Sequence, residues 1–155
     1  MLYRKAWERL VSWKNNDDKK ALLIKGARQT GKTTLVRRFA QEHYDRFVEL
    51  NFLEDPHAGD VFARKLDANT IIANLTAYAR MSLEPGRTLV LLDEIQECPA
   101  ARTTIKFLVE DGRFDYVETG SLLGVKTKHV SSYPVGFEEH LQMYPLDFEE
   151  FCLAN

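Results

Sequence analysis

Cysteine is scarce in this chain of 155 residues: only Cys98 and Cys152 occur. They stand far apart and without metal-ligand spacing, which excludes a disulfide scaffold and leaves two buried free thiols in a reducing compartment as the expectation. The histidines, His43, His57, His129 and His140, show no ligand spacing either, and ordinary surface or core positions are expected for them. Excess charge is also lacking. Lysine plus arginine number 21 against 23 acidic residues, a net charge of −2, so the broad basic footprint of a nucleic-acid binder is missing and only a local patch remains compatible with such a partner. There is no long apolar run and no signal peptide, so neither membrane spanning nor secretion is indicated and a cytoplasmic location is expected. Internal repeats and low-complexity tracts are missing too. One domain is expected at this length, able to bury roughly 68–70% of its unfolded surface without a staple.

What is present centres on Gly26-Ala27-Arg28-Gln29-Thr30-Gly31-Lys32-Thr33, followed by Thr34. Every fixed position of the pattern G-x-x-x-x-G-K-[ST] is met. The apolar run Ala21-Leu22-Leu23-Ile24 before it reads as a buried strand. Leu35, Val36, Phe39 and Ala40 after it recur at helical spacing, predicting a helix from Lys32 to about His43. Strand, glycine-bracketed loop and helix are the setting in which backbone N–H groups wrap a phosphate chain. Gly26 and Gly31 are expected to allow close backbone approach and positive φ. The helix N-terminus would add its positive end. Lys32 would reach the outer phosphates as a point charge, and the Thr33 hydroxyl would ligate Mg²⁺. A nucleoside triphosphate and Mg²⁺ are therefore the expected ligand and ion.

Thr88-Leu89-Val90-Leu91-Leu92-Asp93-Glu94 is the second informative stretch. A strand buried on both faces is apolar throughout in a parallel sheet, and acids at its carboxyl end lie where such sheets bind ligands. Asp93 is expected to hold Mg²⁺ and Glu94 to act as general base toward water. Residues 114–121 read as another strand ending in Thr119-Gly120-Ser121. Thr119 and Ser121 either sense the terminal phosphate from a neighbouring strand or cap the turn that follows.

The rest of the chain supplies scaffold. Leu2, Ala6, Leu10 and Trp13, with Trp7 and Val11 beside them, predict a helix over 2–14 packed on the core; a place flanking the adenine is the alternative. A strand is read at 47–52 and a helical region over 57–82. A helix follows Pro99 with Ala101, Ile105, Leu108 and Val109 on its apolar face, and Asp111-Gly112-Arg113 turns out of it. Arg37, Arg38, Arg102 and Arg113 are read as surface residues. A polar loop covers 126–134, a short final strand 141–144, and a last helix starts near Leu146. The reading is an α/β fold with helices on both faces of a parallel sheet. Residues 1–18 form an N-terminal helical segment, 19–148 the core, and 149–155 the start of a lid.

Residues 26–34, Leu91-Leu92-Asp93-Glu94-Ile95-Gln96, Thr119-Gly120-Ser121 and Met143-Tyr144-Pro145-Leu146-Asp147-Phe148-Glu149-Glu150-Phe151 together resemble the ATPase domain of a prokaryotic family of AAA+-type ATPases (AAA_14-like) that carry a C-terminal domain of unknown function. The resemblance implies a P-loop NTPase three-layer sandwich of the additional-strand type, with the Thr119 strand between the loop strand and the Asp93 strand. It implies ATP over GTP, and Mg²⁺-dependent hydrolysis used as a conformational engine or switch. An unidentified protein partner or the protein's own C-terminal domain would respond, and an oligomer fits the family. Members are usually longer, so the chain is expected to stop where the lid begins and to turn over weakly alone, because an activating arginine comes from the lid or a neighbouring subunit. Many relatives carry an arginine or another polar residue after the glycine at Val135-Gly136, where Phe137 stands here. Two rival readings share the loop: a nucleotide-gated interaction module with little turnover, and a P-loop kinase.

Overall fold

The computed structural model describes residues 5–64, 67–121, 136–145 and 147–154. Leu2, Val135 and the loop read at 126–134 lie outside them. Five parallel strands form one sheet: β1 (Ala21–Lys25), β2 (Arg46–Asn51), β3 (Thr88–Asp93), β4 (Asp115–Gly120) and β5 (Glu138–Gln142), in the order β2-β3-β4-β1-β5. The strand carrying Thr119 thus lies between the loop strand and the strand ending in Asp93. The helices are α1 (Lys5–Lys14), α2 (Lys32–His43), α3 (Ala68–Ala79), α4 (Pro99–Asp111) and α5 (Phe148–Ala154).

Side-chain alternation along the strands divides the core in two. Ala21, Leu23, Leu50, Val90, Leu92 and Tyr116 pack with Ile71 and Leu75 of α3 and Ala101, Ile105 and Leu108 of α4. Leu22, Ile24, Leu89, Leu91 and Val117 point the other way, against Ala6, Leu10 and Trp13 of α1 and Leu35, Val36 and Phe39 of α2. The result is three layers, helix–sheet–helix, with β3 buried at every position. Pro at the first turn and Gly112 in the left-handed region (φ 75°) bound α4 as read from the sequence.

Some boundaries differ. The helical region read over 57–82 is broken: a 3₁₀ turn at Ala58–Phe62 precedes α3, which starts where Asp67 accepts the Thr70 N–H at 3.0 Å. An N-cap of this kind ends the preceding structure as firmly as it begins the helix. The final strand is Glu138–Gln142 rather than 141–144; its polar residues hid it, and at a sheet edge they are tolerated. Neither thiol is buried as expected: Cys98 is half-buried and Cys152 exposed. Asp147 begins α5 in a reciprocal capping box, accepting the Glu150 N–H at 2.8 Å while donating its own to Glu150 Oε2 at 3.2 Å. Lys5 of α1 pairs with Asp147 and Glu149 at 2.8 Å, so α5 starts against α1.

Arg102 overturns its surface reading. It is 5% exposed, and its guanidinium meets Glu138 Oε1 at 3.0 Å across the α4 face of the sheet. Beside Glu138 sits Glu118 of β4, fully buried, with no donor facing either carboxyl oxygen among the described residues. Burial first, and then the Glu138 charge, push Glu118 well above the ordinary 4.5, so it is the neutral acid of the pair. For Glu138 burial acts upward, but its neighbours, the Arg102 guanidinium and the His140 ring among them, outweigh it and hold its carboxyl below the ordinary value. The fold therefore holds a proton at Glu118 that the unfolded chain releases above about pH 4.5. That contribution is whole at low pH and lost as pH rises toward the folded value. Glu118→Gln should accordingly gain stability relative to wild type between about pH 5 and pH 8, by urea unfolding. An unchanged difference across that range would contradict a neutral Glu118. Glu138→Gln should instead cost about 3–5 kcal/mol by stripping Arg102 of this buried partner.

Candidate functional site

Parity and register bring the site together. Asn51, Asp93 and Thr119 lie at the carboxyl ends of β2, β3 and β4, and alternation turns all three toward the α2 face. Asn51 pairs directly with Asp93 in the ladder, and Thr119 with Ile24 at the end of β1. The loop leaves β1 at that same edge, and α2 begins at Lys32. Four elements thus converge on one point without any long connection having to reach it.

Asp93 is the hub, 3% exposed. Its carboxylate accepts the Thr33 hydroxyl on both oxygens at 3.0 and 3.1 Å, the Thr119 hydroxyl on Oδ1, and the Asn51 amide at 3.3 Å. Burial raises its pKa, and the two hydroxyl bonds counteract that. Thr119 also accepts the Glu94 N–H at 3.3 Å. Its hydroxyl therefore bridges the two acids rather than capping a following turn. Ser121 lies one residue past β4, half-buried.

The loop itself is held in three ways. Lys32 is 7% exposed and donates to the Gly26 and Ala27 carbonyls at 2.9 and 2.8 Å. Two of its three N–H bonds are thus used inside the loop. Its burial lowers its pKa, against the raising pull of Glu94 and Asp93. Thr30 donates to the Ala27 carbonyl at 2.9 Å. Gly31 adopts φ 85° as expected. Gly26 does not have positive φ; Gln29 does, at 63°. Gly26 is needed for close approach instead, since a Cβ there would lie 2.4 Å from the Met143 carbonyl. Met143 follows β5 and donates its N–H to Lys25 at 2.7 Å, so the segment after the edge strand is laid against the start of the loop. Ala27, Arg28, Gln29, Gly31 and Thr34 are exposed.

One cavity opens beside the loop, and a second lies against α1. The first, about 300 Å³, is bounded by Arg28, Gln29, Gly31, Lys32, Thr33, Thr34, Leu53 and Glu94. The other, about 270 Å³, lies between α1 and the segment after β5, against Ala6, Arg9, Leu141, Met143, Tyr144 and Pro145. Phe137 is remote from both. Its carbonyl accepts the Ala21 N–H at the start of β1, four strand residues before Lys25, or roughly 13 Å at about 3.3 Å each. A side chain at that position is not placed to complete the loop, whichever residue type stands there. Asn51 belongs to the site and was not singled out from the sequence; Gln96 was noted only within the stretch that carries the resemblance, with no role assigned. Asn51 closes a strand, a signal that carries weight only once the strand order is known; Gln96 follows Glu94 by two residues.

A phosphate-binding loop at the carboxyl edge of a β2-β3-β4-β1-β5 parallel sheet defines a P-loop NTPase of the AAA type. The family profile described as AAA domain (AAA_14) matches residues 18–152, and the chain belongs to that family of nucleotide-binding ATPase domains. Among solved structures it is similar to a chain in a structure titled as the basis for DNA unwinding at forked double-stranded DNA by two coordinating Pif1 helicases, with TM-score 0.54 and 13% identity. The match covers 95% of this chain and 45% of the helicase chain, so this chain spans less than half of that one; at such identity the likeness is of fold alone. No curated protein matches. Among the described residues no helix is long and apolar enough to cross a membrane.

The Gly26–Met143 contact makes a direct prediction. Gly26→Ala forces backbone against backbone and should destabilise by about 1–3 kcal/mol. Urea unfolding checks this, and a variant as stable as wild type would mean that the loop and the Met143 segment do not meet.

Proposed function

We propose that this chain binds ATP with Mg²⁺ and hydrolyses it, driving a conformational change in a protein partner or a C-terminal domain. One observation carries the reading. Thr33 and Asp93, on different elements, place a hydroxyl and a carboxylate within 3.0 Å of each other beside a buried Lys32. These are hard oxygen donors of the kind Mg²⁺ takes. Asp93 is buried among neutral donors only, with no ion pair among the described residues, so a cation would relieve its burial. Lys32 keeps one ammonium hydrogen for a phosphate oxygen. The residues fit both groups: Thr33 and Asp93 would hold the ion, and residues 26–34 the phosphates. When bound, Mg²⁺ neutralises charge on the phosphate oxygens.

Each side chain then has a distinct task. Lys32 adds positive charge at the loop, where it is strengthened by burial. Thr119 fixes Asp93 through its hydroxyl and Glu94 through the N–H it accepts. Glu94 bounds the same cavity as Lys32 and Thr33 and serves as general base, taking a proton from water. The second cavity, against Ala6, Arg9, Met143, Tyr144 and Pro145, would take the base of the nucleotide, with α1 beside it as well as packed on the core. ATP is the nucleotide proposed.

Phosphate release and nucleotide titration on three variants test this. Lys32→Ala should lose most triphosphate affinity while keeping the fold, whereas Mg²⁺–ATP at ~100 times its Kd should stabilise wild type by about 2.7 kcal/mol. Glu94→Gln should bind normally and lose roughly 10²–10⁴-fold in kcat. Asp93→Asn should weaken the dependence on Mg²⁺. Equal thermal shifts in wild type and Lys32→Ala would refute the loop assignment, and wild-type turnover in Glu94→Gln would refute the base.

A further inference from the structure

Glu94 begins a turn rather than continuing β3. It adopts φ 59°, ψ 52°, the left-handed region that L side chains rarely enter, and the 3₁₀ turn Ile95–Glu97 follows at once. Its carbonyl accepts the Glu97 N–H at 3.0 Å, and this closed turn brings residue 96 back beside residue 94. Gln96 is 5% exposed, and its side-chain amide donates through Nε2 to Glu94 Oε2. Its Oε1 is buried and has no hydrogen-bond partner among the described residues. The amide cannot be reversed, because Oε1 would then face a carboxylate oxygen with no proton between them.

A buried amide with one end unmet is a poor choice for stability, since an apolar side chain of the same size would leave nothing unsatisfied. The one bond Gln96 makes to a functional group goes to Glu94. Glu94 bounds the cavity beside the loop, and Gln96 does not, so whatever Gln96 contributes to chemistry passes through Glu94. We propose that Gln96 is a positioning residue: its amide holds the Glu94 carboxylate in one orientation, from which it takes the proton of the attacking water. This rests on the reading of Glu94 as the base in ATP hydrolysis.

The division of labour follows from the geometry. Asp93 is oriented by Thr33, Thr119 and Asn51, while the Glu94 side chain is oriented by Gln96. The two acids are therefore held by separate donors. Loss of Gln96 frees Glu94 to rotate and leaves the Thr33–Asp93 pair intact, so binding and turnover separate.

The test is a double-mutant cycle on the intact protein, with kcat and KM for Mg²⁺–ATP measured for wild type, Gln96→Met, Glu94→Gln and the double variant. Gln96→Met keeps the length and removes both the donor and the orphaned oxygen. It should lower kcat by about 10- to 100-fold, the range of a hydrogen bond to a charged group. KM and nucleotide affinity should stay within about twofold, and the thermal midpoint should be equal or higher. In the Glu94→Gln background the same change should cost less than about twofold, because residues acting through one another are not additive. Gln96→Glu, which has the length but no donor, should not rescue turnover. Wild-type kcat in Gln96→Met, an equal fold loss in both backgrounds, or a loss of affinity that matches the loss of kcat would overturn the proposal. If Glu94→Gln keeps wild-type turnover, the reading of Glu94 as the base falls and the role of Gln96 with it; if Glu94→Gln is impaired and Gln96→Met is not, only the role of Gln96 falls.

Discussion

A buried carboxylate at the end of a parallel strand is the constraint on which the site depends. Asp93 sits where β3 leaves the sheet, 3% exposed, and a charge there is costly unless it is paired or surrounded by donors. Three neutral donors from three elements answer it: Thr33 from α2, Thr119 from β4 and Asn51 from β2. Each reaches Asp93 only if its strand or helix keeps its register. A one-residue slip of β4 would replace Thr119 with Glu118 or Gly120 and turn the wrong face toward α2. The polar hub and the apolar layers beneath it therefore specify the same topology.

β4 shows how one strand serves two environments. Thr119 points to the α2 face and bridges Asp93 and Glu94. Glu118, one residue earlier, points to the α4 face, where burial keeps it neutral beside Glu138, which in turn holds Arg102. The first cluster lies under the loop and the second lies between α4 and the edge strand β5. The two are separated by the thickness of a single strand. The Met143 segment that follows β5 touches Gly26, so the edge strand borders the loop at one end and carries the ion pair at the other.

The sequence was most legible where a chemical task demands specific residue types in a fixed order. The span of α2, the buried run of β3, the Pro99 start and Gly112 stop of α4, and the convergence of Thr33 with Asp93 all follow from local pattern. Strand order came only through the resemblance, because periodicity says which residues form strands and not which strands are neighbours. β5 was displaced because Glu138, Glu139 and His140 look unlike a strand until Arg102 and Glu118 are seen to meet them. Arg102 itself was read as a surface residue for the same reason: a buried cation can be inferred only with its partner in hand. Asn51 carries no motif, Gln96 closes one without a role assigned to it, and both become visible as site residues through what they touch. Gly26 was marked for close backbone approach and positive φ; the close approach, to Met143, is what requires it, and the positive φ is not adopted.

The account stands on Thr33 and Asp93 forming one ion seat beside the loop. Calorimetric titration of ATP into the protein, with Mg²⁺ and again with excess EDTA, tests this most directly. The account predicts one nucleotide per chain, bound tightly with Mg²⁺ and far more weakly without it. Equal affinity in the two titrations, or no binding in either, would contradict it.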